Sequence, residues 1–175
     1  MHQRTELTLL SSIALALALA GCGGGGGKPA APPPSTHSSL LGKPAPEFRR
    51  PAMGGESVTI ASSKGKVVVV KFFAKYCEPC KRTLPAIEKL HKDRADIVII
   101  GVAEDEHEAE AREVVQTYGL SFPVVHDASN VLAARWRVRE LPVTYVVDGQ
   151  GNVAWVGGPE RTESELVAAI ESTKP

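Results

Sequence analysis

The stretch VVVVKFFAKYCEPCKRTLP, residues 67–85, decides the fold. Val67 to Ala74 is an apolar, β-branched run of the kind that fills a buried strand. After the two cysteines, Leu84, Ile87 and Leu90 recur at helical spacing, with Lys81, Arg82, Glu88 and Lys89 on the other positions. Pro85 falls inside that helix and is expected to kink it. A second buried strand follows in DIVIIGVA, Asp96 to Ala103. Strand, helix and strand in this order predict a right-handed βαβ unit with parallel strands. Cys77 falls at the turn where the first strand becomes the helix.

That place has chemical consequences. A helix amino terminus offers unpaired N–H groups and the positive end of the helix dipole. Both favour thiolate over thiol, and the thiolate is the nucleophile. Cys80 falls one turn into the helix, within reach of Cys77 and less exposed. The pair therefore reads as an attacking thiol, Cys77, and a resolving thiol, Cys80. Pro79 suits the first helical turn, where its missing N–H costs nothing. Two other uses of a CxxC pair are weaker. A zinc site needs two more ligands, and the chain offers none nearby. A structural bridge over so short a loop constrains the unfolded chain little.

Outward from this unit, Val58–Ile60 reads as a short strand. Residues 106–118 read as a charged helix capped by Gly119, 122–125 as a short strand, and 129–136 as a short helix with Leu132 and Trp136 on one face. Residues 143–147 and 152–156 flank Asp148-Gly149-Gln150-Gly151, a strong hairpin signal. A last helix runs from Thr162 to Ser172, and Thr162 with Glu165 has capping-box spacing. His107 and His126 are isolated and read as solvated or locally bonded. Trp136 and Trp155 read as packing residues, and the acidic run 104–110 as an exposed helix start.

The amino terminus is of a different kind. A polar head with Arg4 and Glu6 precedes an apolar run from Leu7 to Ala20, shorter than the ~20 residues needed to span a bilayer. It fits a secretory signal. Leu19-Ala20-Gly21-Cys22 resembles the lipobox of bacterial lipoproteins, which implies cleavage before Cys22 and lipidation of its sulfur. Residues 1–21 are thus expected to be a lipoprotein signal peptide and 22–39, rich in Gly and Pro, a flexible tether. Residues 40–175 are left for one domain. Lys plus Arg equals Asp plus Glu, 20 against 20, so nothing points to nucleic acid. Beyond Cys22, the only cysteines are Cys77 and Cys80, too few for a disulfide-stapled scaffold.

Taken together, GKPAPEF, GKVVVVKFFAKYCEPCKRTLP, SFPVVHD and VRELPVTYVVDGQGNV resemble the TlpA/ResA-like thiol–disulfide oxidoreductases of the thioredoxin superfamily, over residues 42–158. The resemblance implies an α/β fold, a mixed sheet with helices on both faces, in which the βαβ unit is followed by a β-hairpin and a C-terminal helix. It implies a membrane-anchored monomer on the outer side of a bacterial membrane. Its partners would be an exported protein disulfide and an upstream thiol donor, with neither cofactor nor metal. Relatives in this family reduce apocytochrome c or copper-site proteins.

The resemblance also implies roles at single positions. Pro142 matches a cis-proline that exposes the backbone of Leu141 to a substrate strand; from the residues alone, it reads equally as a strand-start proline. Tyr76 replaces the usual tryptophan before the first cysteine and keeps an aromatic platform. Glu104 matches an acid near the cysteine pair that could move protons for Cys80; otherwise it is a solvated residue at a strand end. Lys71 stands where thioredoxins carry an aspartate. It is expected either beneath the cysteine pair, tuning it and paired with Glu104, or at a strand edge facing water. Glu78 opposes a thiolate on Cys77 and favours a reductant over a strong oxidant. Two other functions use the same thiolates: a peroxiredoxin-like peroxidase, whose PxxxTxxC pattern is absent, and a copper chaperone, whose relatives space their cysteines differently and add a histidine.

Overall fold

A computed structural model describes residues 35–174. Cys22, the signal-like start and most of the expected tether lie outside the described residues. The β-branched run forms β3 (Val67–Phe73), buried along its whole length, and the run after Asp96 forms β4 (Ile97–Ala103). They pair in parallel, Val67 opposite Ile97 through Phe73 opposite Ala103, with α1 (Glu78–Asp93) between them. Ahead of β3, β1 (Arg49–Pro51) and β2 (Ser57–Thr59) form a separate antiparallel hairpin. After β4 come α2 (Glu108–Thr117), β5 (Val124–His126), α3 (Val131–Arg135), β6 (Val143–Val147), β7 (Val153–Gly157) and α4 (Glu163–Thr173).

The main sheet has the order β5-β4-β3-β6-β7, so β3 is its central strand. β3, β4 and β5 are parallel, while β6 and β7 run antiparallel, which gives the mixed sheet expected. Both parallel crossovers step the same way along the sheet, and right-handed connection places both helices on one face. Ala111 and Val114 of α2 accordingly share a core with Leu84 and Ile87 of α1 and Leu166 and Ile170 of α4. The opposite face packs α3 and the amino-terminal segment around Phe48, Phe72, Trp136 and Tyr145. There the Tyr145 hydroxyl donates to the Trp136 carbonyl at 2.7 Å.

The turn signals act as anticipated. Asp148 Oδ1 accepts from the N–H groups of Gln150 and Asn152, and Gly151 takes a positive φ of 92°. Thr162 and Glu165 form the reciprocal capping box of α4. Apart from shifts of one or two residues at element ends, two features differ from expectation. β1 was not foreseen, because two arginines and a proline carry no apolar pattern. Thr36, inside the stretch expected to be tether, already docks on β7: its N–H donates to the Val156 carbonyl and its hydroxyl accepts from Gly158 N–H.

Candidate active site

Cys77 is the residue that caps α1. It takes an extended backbone (φ −82°, ψ 95°), and its Sγ accepts from the Cys80 N–H at 3.2 Å. Glu78 and Pro79 begin the helix, and Pro79 gives up no intrahelical bond there. Cys77 and Cys80 are joined as a disulfide. Cys80 is completely buried and Cys77 is 5% exposed, so a partner reaches the pair through Cys77. Glu78 extends into solvent and pairs with Lys81 at 2.8 Å, which offsets its charge next to Cys77.

A cleft of about 560 Å³ opens over the pair. Tyr76, Cys77, Pro79, Glu104 and Leu141 line it, together with Arg139 and Glu140. Tyr76 is 72% exposed, a large aromatic ring facing solvent and not the core. The Leu141–Pro142 bond is cis, as the resemblance implied, and Leu141 is half-buried at the cleft wall. Arg139 and Glu140 were missed at the sequence level. Their signal is proximity to the proline segment, which by itself does not say which loop residues reach the cleft.

Glu104 arrives at this cleft because β4 ends beside the end of β3: its N–H donates to the Phe73 carbonyl at 2.9 Å. The side chain is half-buried, and its Oε1 has no hydrogen-bond partner among the described residues. Burial, then the nearby Asp127 and Asp105 carboxylates, push its carboxyl up to about 7. Asp105 is buried too, and its Oδ1 accepts from the Lys75 N–H at 2.7 Å. The acidic run is therefore not exposed at its start, because Glu104 and Asp105 follow directly on β4 and pack at its end; α2 begins only at Glu108. His126 is locally bonded, with Nε2 2.7 Å from the Asp105 carbonyl.

Two expectations placed on Lys71, a strand edge facing water and a pairing with Glu104, do not hold. It is not at a strand edge: β3 is the central strand, and Lys71 is 3% exposed. Nor does it pair with Glu104. The register sets Lys71 opposite Gly101, and Glu104 comes three residues later. Three residues are about 10 Å along a strand, and an odd offset turns the side chain to the other face. The electrostatic neighbours of Glu104 are Asp127, Asp105, Tyr76 and Tyr145, whereas Lys71 Nζ donates to Thr144 Oγ1 at 3.1 Å. Burial pulls the Lys71 ammonium down to about 7. Lys71 does share the face of α1, but it borders a second cavity behind the first turn and not the cleft.

Among the described residues no cluster of His, Cys, Asp and Glu could hold a metal, and no helix is long and apolar enough to cross a membrane.

Comparison with known proteins agrees with this geometry. The AhpC/TSA family matches residues 41–156. The thioredoxin-like protein YneN of Bacillus subtilis is 32% identical over 134 residues, 74% of this chain and 78% of that protein. The thiol–disulfide oxidoreductase ResA of Halalkalibacterium halodurans is 32% identical over 136 residues, 77% of each chain. In fold, the thioredoxin domain of a thiol–disulfide oxidoreductase from Bacteroides vulgatus superposes with a TM-score of 0.69. It is 22% identical, covering 79% of this chain and all (100%) of that one.

Proposed function

The chain belongs to the AhpC/TSA family, on its thiol–disulfide oxidoreductase branch, and from that premise we propose that its CEPC dithiol reduces disulfides of exported proteins at a bacterial membrane. The observation that carries the reading is a cysteine capping a helix at the floor of an open cleft, with its partner buried one turn behind. The expected lipid on Cys22 and the tether after it would hold the domain at the membrane surface.

In the reduced enzyme, the Cys77 thiolate attacks one sulfur of the substrate disulfide. The substrate S–S bond breaks, a Cys77–substrate disulfide forms, and the other substrate sulfur leaves as a thiolate. Cys80, deprotonated, then attacks Cys77 Sγ, which releases the second substrate thiolate and leaves the Cys77–Cys80 disulfide. Two electrons pass from the dithiol to the substrate, and the two thiol protons end on the substrate thiols. The Cys80 N–H and the helix dipole support negative charge on Cys77 Sγ. Glu104, with a carboxyl that changes charge near 7, is suited to carry protons across the cleft. Tyr76 and Leu141 would hold the substrate chain. An upstream thiol donor restores the dithiol.

The test is a trapping experiment in the cell envelope. The Cys80→Ser variant is expected to accumulate mixed disulfides with exported proteins through Cys77, and the Cys77→Ser/Cys80→Ser variant none. Resolution by the wild type should show an inflection near pH 7 that Glu104→Gln removes. A Cys80→Ser variant that traps nothing, while the wild type stays fully oxidised in cells, counts against a reductant.

A further inference from the structure

Behind the first turn of α1, on the side of the sheet away from Glu104, is a cavity of about 310 Å³, separate from the cleft. Its floor is Lys71 with Thr144, two neighbours on adjacent central strands. The Lys71 ammonium has three N–H donors, and one goes to Thr144 Oγ1. Among the described residues no other side chain or carbonyl accepts from it, and no carboxylate pairs with it. A buried amine without an anion is unfavourable by itself. Here the space in front of it is open.

The walls are apolar. Ile87 and Leu90 of α1 face Leu166 of α4, and the Trp155 ring closes the end next to Gly157. At the rim stand Arg82, which makes no ion pair among the described residues, and Arg161, which pairs with Glu160 and Glu165. Glu163 of α4 is the one carboxylate on the lining. An apolar chamber at the small end of the range for ligand pockets, with one charged group at its floor, has the form of a ligand site more than of a packing defect.

We propose that this cavity binds a small amphipathic anion: a monocarboxylate with a short apolar body, its carboxylate on Lys71 and Thr144 and its chain against Ile87, Leu90, Trp155 and Leu166. The carboxylate supplies the acceptor that the ammonium lacks, and the walls exclude water from the pair. A charged Lys71 is the form that binds. Because burial holds the free amine down to about 7, anion binding above that pH must draw a proton onto Lys71. The groups around Lys71 are Thr144 on β6, Gly101 on β4, Trp155 on β7, Arg82 and Thr83 on α1, Arg161 in the β7–α4 loop and Glu163 on α4; Glu163, the carboxylate among them, lines the same cavity but makes no ion pair with Lys71. The site is independent of the reading of the cysteine pair given above.

The test is calorimetric titration of the oxidised full-length protein with hexanoate, and with 1-hexanol as an uncharged ligand of equal length. Hexanoate is expected to bind at least tenfold more tightly than hexanol at pH 6.5. At pH 8 its binding should take up close to one proton, read from the dependence of the heat on buffer ionisation enthalpy. Lys71→Met should bring hexanoate down to the hexanol affinity, and Thr144→Val should weaken it severalfold. Equal affinities for hexanoate and hexanol would reduce the cavity to an apolar crevice and overturn the proposal. So would hexanoate binding unchanged in Lys71→Met, binding at pH 8 without proton uptake, or no binding at millimolar concentration. The proton measurement uses wild-type protein alone, so it decides the question even where a variant folds poorly.

Discussion

At the scale of the residue, Lys71 is a buried amine with one hydrogen bond, to Thr144, and no ion pair among the described residues. Its unfolded form keeps a proton up to about 10.5, and its folded form loses it near 7. Between those values the unfolded chain binds more protons, so this residue makes stability rise with pH across the window. Below 7 the burial penalty is complete. Lys71→Met keeps the length and removes the charge; replacement of buried charge by apolar groups is commonly neutral to stabilising by about 1–4 kcal/mol. The variant is expected to be more stable than wild type in urea unfolding at pH 6, with the difference shrinking by pH 9. A difference that grows with pH would show that the lysine finds an anion in the folded chain.

At the scale of the element, the parallel pair β3–β4 sets the site. It carries Cys77 to the top of the sheet, delivers Glu104 beside it, and turns Lys71 to the face of α1. Close packing around Gly101 secures that register. A Cβ on Gly101 would come within 2.9 Å of Val124 Cγ2, 3.0 Å of Phe122 and 3.1 Å of Phe73. Val124 and Phe122 are held by β5 and the loop before it, so they cannot withdraw freely. Gly101→Ala is expected to destabilise by about 1–3 kcal/mol through overpacking. Chemical denaturation checks it; an unchanged midpoint would mean that β5 moves easily on β4. These strands and helices were legible in the sequence wherever an apolar period was long: β3, β4, α1, β6, β7 and α4. β1 and the first residues of the acidic run were not. β1 has no period, and Asp105 is buried by a backbone hydrogen bond that charge alone does not announce.

At the scale of the whole molecule, two ionisable groups of opposite kind are pushed to about 7 on opposite faces of one sheet. Glu104, raised from 4.5, holds its proton in the folded state; its contribution therefore falls as pH rises toward 7 and stays low above it. Lys71 does the reverse above 7. The sum is a combined penalty greatest near neutrality, and separation across the sheet makes the two effects additive. The stability of wild type relative to Lys71→Met/Glu104→Gln is expected to pass through a minimum near pH 7. A monotonic difference across pH 5–9 would overturn the assignment of at least one of the two groups. By itself, the sequence determined the redox unit and the order of elements, since strand and helix periods, caps and a CxxC at a turn are local properties of the chain. Only the tertiary structure decided what Lys71 and Glu104 face. Their partners depend on strand order and on a register in which one odd step moves a side chain through the sheet, and no local pattern contains that.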